Sequence, residues 1–330
     1  MTAPAATAPA WTAPERRAFI AAHLAGRLPH ALLVHEAPGA GGEWLAHWAA
    51  RLVLCERPAQ APCGSCRACQ RVLAWQHPDL MRVLPLEDSR QIRIEQVRDL
   101  TAELALTSHA GGYKVGILAP ADLLNRFAAN ALLKTLEEPA PRTLLVLVAT
   151  QPSRLPATVL SRCQRLKVRA PTRAEAAAWL RAVRGEGPWD AALAVVGEAP
   201  MLLGEADPAA IAETGRETLE TLEALAAGKA DPLAIAERWA RSDLTLPLLC
   251  VEKWLTERIR PDGSGPGLLA EVRAGPYLPA PGPFLNIRGL FGLLDEVREL
   301  RNTLDVPLNR ALALEALFRR LAPDGGGVAA

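Results

Sequence analysis

An α/β domain built on a parallel sheet, followed by a run of helices, is the fold class the sequence predicts. Three observations predict it. Short apolar runs alternate with helical segments through residue 169, the pattern of strands joined by crossover helices. A glycine loop follows the first of those runs. Past Pro171 nearly every segment has helical spacing instead.

Taken in order, Ala31-Leu32-Leu33-Val34-His35 is the first predicted strand. It stops at Ala37-Pro38-Gly39-Ala40-Gly41-Gly42, and an apolar helical stretch rich in Ala, Leu and Trp runs from Glu43 to Leu54. Strand, glycine loop and helix is the order expected at the front of a nucleotide-binding α/β domain. A cysteine segment, Cys55 to Cys69, comes next, then a strand at Leu80–Leu84. The amphipathic helix at Ile94–Thr107 has Val97, Leu100 and Leu104 on its apolar face.

Val115–Leu118 is a further strand, and a single helix is expected from Asn125 to Glu137, closed by Pro139. Leu144–Ala149 is almost purely apolar, as a strand buried on both faces should be. A short helix over Thr158–Arg162 and a last strand, Gln164–Arg169, complete the domain. The expected division is an α/β domain over 1–169, a small helical domain over 170–206 and a helical C-terminal domain over 207–330. Gly/Pro breaks fall at 261–267 and 275–283, the final helices at Leu285–Leu304 and Val306–Leu321, and no internal repeat is visible.

Bulk properties exclude several function classes. The chain has 330 residues, half of them hydrophobic, and a net charge of +1, so nothing favours general polyanion binding. Aromatics are 5% of residues, too few for an obvious base-stacking surface. No apolar run approaches the length that spans a bilayer. Residues Met1 to Trp11 lack the basic and apolar regions of a secretory signal and read as a disordered leader. A cytoplasmic location is expected, where thiols stay reduced and clustered cysteines usually mean metal.

Four of six cysteines lie at Cys55, Cys63, Cys66 and Cys69. The spacing C-x7-C-x2-C-x2-C lets four thiolates close a tetrahedral Zn²⁺ site with no open position, which is structural and not catalytic. Disulfides or unrelated buried cysteines are the plainer alternative. An iron–sulfur site would require a further Cys and a Pro just downstream, where Gln70-Arg71-Val72-Leu73 supplies neither. Cys163 and Cys250 read as small core residues.

A phosphate loop follows G-x4-G-K-[ST]. Laying Gly41 on its second glycine puts Glu36 on the first, Gly42 where the Lys belongs and Glu43 where the hydroxyl belongs. A carboxylate in place of a cation reverses the local electrostatics toward a triphosphate. The second half of a nucleotide site is missing too: the strand at Val115–Leu118 ends in Ala119-Pro120-Ala121, and the first carboxylate is Asp122. Two halves lost together argue against ATP turnover. An ordinary glycine turn ahead of a helix would look the same locally.

Several stretches together resemble the AAA+ clamp-loader subunits of bacterial DNA polymerase III. They are Pro29-His30-Ala31-Leu32-Leu33, the cysteine cluster, Asn130 through Pro139, and Leu155-Pro156 through Ser161-Arg162-Cys163. The resemblance implies a P-loop NTPase-like domain with a zinc-module insertion, a small helical lid and a helical collar. Gly42, Glu43, Ala119 and Pro120 set the chain apart from the ATP-hydrolysing gamma/tau members, so no ATP is expected in its own site. The likeness further implies that Arg162, flanked by Ser161 and Cys163, is an arginine finger acting in trans on a neighbouring ATPase. The implied partners are gamma/tau and delta subunits, the sliding clamp and primed DNA, with no membrane. A divergent ATP-hydrolysing loader subunit and a zinc-stapled nucleic-acid-binding module are the rival readings.

The remaining candidates are weaker. Glu137 and Glu138 read as a solvated helix end, His30 and His77 as structural, and Trp44 with Trp48 as a core pair one helical turn apart. Thr150 stands where related ATPases place a phosphate-sensing residue.

Overall fold

The computed structural model describes residues 7–86, 89, 91–204, 206–259, 287–304 and 309–322. It divides into two compact units, Met1–Glu175 and Ala176–Ala330.

In the first unit the described residues form a five-stranded sheet in the order β2-β3-β4-β1-β5, every neighbouring pair parallel. The strands are β1 (Ala31–Glu36), β2 (Leu80–Val83), β3 (Lys114–Leu118), β4 (Thr143–Ala149) and β5 (Gln164–Val168). β4 is buried along its whole length, as its unbroken apolar run predicts. β5 lies at an edge, and its Gln164 and Arg165 are exposed.

The pleat sorts side chains onto two faces. Ala31 and Leu33 of β1, Leu118 of β3 and Leu145, Leu147 and Ala149 of β4 share one core. With them pack Val97, Leu100 and Leu104 of α4 (Ile94–Ala105) and Leu136 of α6 (Leu133–Glu137). Alternation directs Leu32, Val34, Leu144 and Val146 to the other face, where α2 (Gly42–Leu54) crosses β1, β3 and β4. α1 (Ala13–Leu24) packs on α2, with Phe19 edge-on to Trp48 at 6.4 Å between ring centroids. Trp44 and Trp48 are both buried, as their spacing predicts.

The single helix expected over Asn125–Glu137 is two, α5 (Arg126–Ala131) and α6, interrupted at Leu132. Asn125 starts the first by accepting the Ala128 amide on its side chain. Leu132 is fully buried, and the turn there lets both short helices follow the sheet. The helix expected over Thr158–Arg162 is α7 (Ala157–Leu160), and α3 (Arg67–Leu73) carries the last cysteine of the cluster.

The second unit is helical throughout its described residues. The division between units falls inside α8 (Arg173–Arg184), and α9 (Trp189–Val196), α10 (Pro208–Ala226), α11 (Pro232–Ala240) and α12 (Thr245–Ile259) follow. Two Asp-Pro steps start α10 and α11: Asp207 and Asp231 cap the first turns through their carboxylates, and Pro occupies a position whose N–H has no helical partner. The last helices are α13 (Ile287–Asn302) and α14 (Arg310–Leu321). α13 lies against α12, where Glu252 receives Arg298 and Arg301 at 2.7 and 2.9 Å. α14 lies against α11, where Trp239 meets Phe318 edge-on at 5.1 Å. The expected breaks at 261–267 and 275–283, and the helix start at Val306, lie outside the described residues.

α9 and α10 approach closely at Gly215, where an added methyl would overlap Val195 Cγ2. An exposed helical Gly→Ala change usually stabilises by up to about 1 kcal/mol. Here overpacking reverses the sign, and Gly215→Ala is expected to lower stability by about 1–3 kcal/mol, read from the urea midpoint of the full chain.

Candidate functional site

The glycine loop leaves the carboxyl end of β1, the edge at which open parallel sheets bind ligands. Gly39 (φ 70°) and Gly41 (φ 98°) take the left-handed backbone the turn requires. α2 then begins at Gly42.

Trp11 closes over this loop. It is fully buried, and its Nε1–H donates to the Ala40 carbonyl at 2.7 Å. The reading of Met1 to Trp11 as a disordered leader is therefore corrected at its end: Pro9, Trp11 and Thr12 are buried. The first six residues lie outside the described ones. A single Trp in an Ala/Pro-rich stretch was the available signal.

The carboxylates placed at the loop by the sequence alignment all have partners within the chain. Glu36, 9% exposed, accepts the Gly42 N–H at 2.6 Å. Burial raises its pKa above the usual carboxylate value, opposed by the Gly42, Gly41 and Glu43 amides, while the Glu43 charge adds to the rise. Glu43, at the hydroxyl position of a working loop, pairs with Arg82 of β2. The Arg82 guanidinium sits 4.5 Å over the Trp75 ring, which in turn lies against His47. Neither Arg82 nor Trp75 was singled out in the sequence, because both come from elements remote from the loop.

At the carboxyl end of β3 stand Ala119 and Pro120, with no carboxylate at either position. Asp122, just beyond, accepts the Thr150 hydroxyl at 3.1 Å and the Thr150 amide at 3.3 Å. The threonine at the phosphate-sensing position thus donates to a carboxylate of its own chain. Lys114 lies at the other end of β3, 2% exposed, with its Nζ donating to the Glu103 carbonyl at 2.8 Å.

Arg162 is brought to the opposite edge of the sheet. It lies two residues before β5, whereas Glu36 pairs with Val168 at the far end of that strand. The strand between them, Gln164–Val168, spans about 13 Å at roughly 3.3 Å per residue, and Arg162 lies in the turn before it. One side chain cannot cover that distance, so Arg162 does not serve its own loop. Its Nη1 donates to the Thr158 carbonyl at 2.9 Å and to Ser161 Oγ at 3.4 Å, and its Nη2 pairs with Glu137 at 2.6 Å. The pair is well exposed, at 36% and 51% of the two side chains. Cys163 below it is buried, and burial pushes its thiol up to about 11. His30 holds the Leu136 carbonyl at 3.0 Å through Nε2, joining β1 to α6 at this same edge. His77 accepts the Asp79 amide on Nδ1 at 3.1 Å. Both histidines are structural, as expected.

The four clustered cysteines converge. Their sulfurs all lie within 4.8 Å of one another, with Cys55 and Cys66 4.0 Å apart. A tetrahedron with bonds of about 2.3 Å has edges near 3.8 Å, so only small shifts separate this arrangement from a closed Cys₄ zinc site. Backbone amides already point at the sulfurs: Cys66 N–H to Cys63, Cys69 N–H to Cys66 and Cys63 N–H to Cys55, at 3.3, 3.3 and 3.5 Å. Burial pushes the Cys55 and Cys69 thiols up, whereas the Cys66 and Ser65 amides bring Cys63 down to about 6. Four sulfurs this close are compatible with a metal site, and the all-sulfur donor set suits zinc.

A parallel sheet of this order, a glycine loop after β1 without its lysine and hydroxyl, and a Cys₄ module running from the end of α2 into α3 define a degenerate AAA+ domain of the P-loop NTPase-like class. Residues 15–172 match the family model described as DNA polymerase III, delta subunit. The chain is 35% identical over 303 residues to the DNA polymerase III subunit delta' of Pseudomonas aeruginosa, covering 88% of this chain and 90% of that one. The chain therefore belongs to the DNA polymerase III delta-prime subunit family. The Escherichia coli delta' subunit is 39% identical over 171 residues, 52% of this chain and 51% of that one. The E. coli tau subunit is 34% identical over 146 residues, 44% of this chain and 22% of tau.

Proposed function

We propose that this chain is a non-hydrolysing subunit of the DNA polymerase III clamp loader, helping to place the sliding clamp on primed DNA during replication. The observation that carries the reading is the separation of Arg162 from the glycine loop by the length of the sheet. A subunit in a head-to-tail ring presents one edge to each neighbour. The Arg162 edge has an always-charged planar guanidinium to offer a phosphoryl group on the next subunit, while the loop edge lacks the lysine and hydroxyl that would hold a phosphate.

On this reading Arg162 is the trans finger of a gamma/tau neighbour, with Ser161 and Cys163 setting its place at the end of α7. Cys55, Cys63, Cys66 and Cys69 hold a structural Zn²⁺, which fixes the segment between α2 and α3 and takes no part in hydrolysis. The helices over 170–206 form a lid-like domain, and those over 207–330 a collar that joins the other subunits, delta among them. DNA is met inside the assembled complex, consistent with a net charge of only +1. The complex works in the cytoplasm. No helix among the described residues is long and apolar enough to cross a membrane.

Co-expression with gamma/tau and delta subunits tests the reading. The full chain is expected to elute with them as one complex on size exclusion and to show no ATP turnover alone. Isolated chain hydrolysing ATP at an ordinary enzymatic rate, about 1 s⁻¹ or more, would place it among the ATPases.

A further inference from the structure

We propose that Glu36 is a built-in anion that fills the glycine loop in the place a phosphate would take. The proposal deepens the reading of the loop as silent and rests on it.

Glycine loops bind phosphate because successive backbone N–H groups converge on one concavity at a helix N-terminus. The concavity is present here. Gly39 and Gly41 have positive φ, and α2, thirteen residues long, starts at Gly42, whose amide has no partner within the helix. Glu36 ends β1 directly beneath it, nine-tenths buried, and its carboxylate takes the Gly42 N–H at 2.6 Å. The Gly41 and Glu43 amides act on the same carboxylate.

The fit depends on Gly42. A Cβ there would lie 2.7 Å from Glu36 Cδ and 2.9 Å from Oε1. Only glycine lets the carboxylate reach the amide, so loop and plug are complementary. Trp11 holds the loop from the other side through the Ala40 carbonyl. The remaining acids near the loop are committed elsewhere, Glu43 to Arg82 and Asp122 to Thr150. An incoming oxyanion would meet the Gly42 amide already in use and a negative charge beside it.

Titration of the full chain with inorganic phosphate, with pyrophosphate and with Mg-ATP tests the plug, comparing wild type, Glu36→Ala and Glu36→Gln. Wild type is expected to give no heat with any of them. Glu36→Ala is expected to gain phosphate and pyrophosphate binding, roughly tenfold or more tighter than wild type, and to be stabilised by phosphate in a melt where wild type is not. Glu36→Gln keeps the shape without the charge and is expected to fall between them. Should Glu36→Ala fail to fold, the amide resonances of Gly41, Gly42 and Glu43 in Glu36→Gln give a second readout, and they should shift strongly against wild type. Variants that gain no oxyanion affinity, or loop amides that ignore Glu36→Gln, would overturn the plug and leave the silent loop standing. Wild type binding Mg-ATP as tightly as the variants would overturn both.

Discussion

Arg162→Ala is expected to leave the assembled loader intact and to slow hydrolysis at the neighbouring site by about 10³-fold or more, the range of trans arginine fingers. The variant removes a side chain that is half-exposed at the sheet's amino edge, so neither unit loses core packing. Single-turnover hydrolysis by the reconstituted complex with primed DNA is the measurement, alongside size exclusion to show that assembly survives. Arg162→Lys should recover only part of the rate, since an ammonium keeps the charge but not the planar fork that spans two phosphoryl oxygens. Unchanged turnover in Arg162→Ala would remove the finger assignment.

The resting state of that arginine fits the role. Glu137 and the Thr158 carbonyl hold the guanidinium. An ion pair this exposed contributes about 0–1 kcal/mol, so a neighbouring phosphate can draw the arginine away at little cost. Glu137 was read from the sequence as a mere solvated helix end; its position opposite Arg162 became visible only when α6 and α7 were brought together.

Removing metal is expected to have the other large effect. The cysteine module has almost no apolar core: its buried cluster consists of Cys55, Cys66, Ala68 and Cys69, with Ala61 and Cys63 beside it. Side-chain bonds such as Gln70 to the Gly64 carbonyl at 2.6 Å tie the turn, but too little surface is buried to offset the ordering of the chain. Structural zinc contributes about 10–16 kcal/mol in isolated finger peptides. The protein purified under reducing conditions should carry one zinc per chain by elemental analysis, and Cys69→Ser should lose it. Its melting temperature should drop by about 10 °C, as a loss of a few kcal/mol in a domain of this size gives. Metal-free wild type with an unchanged melt would reject the zinc assignment.

The strands and the main helices of the first unit were legible because their cues are local. β4 is an unbroken apolar run, and Val97, Leu100 and Leu104 repeat at helical spacing. The cysteine spacing was legible for the same reason. What escaped reading depends on contacts between distant segments. Leu132, buried in the core, marks the break between α5 and α6, and Trp11 is recruited by a loop 29 residues away. Arg82 reaches Glu43 only once β2 and α2 are adjacent. Glu36 was laid on the first glycine of a phosphate loop, but spacing alone does not say that its side chain turns inward.

A ligand tethered by the backbone is never diluted. Where working ATPases change shape as nucleotide arrives and leaves, the Glu36 carboxylate stays within bonding distance of Gly42 at an effective concentration no freely diffusing anion reaches. If the plug holds, the geometry around that turn is expected to be indifferent to the ratio of ATP to ADP in the cell.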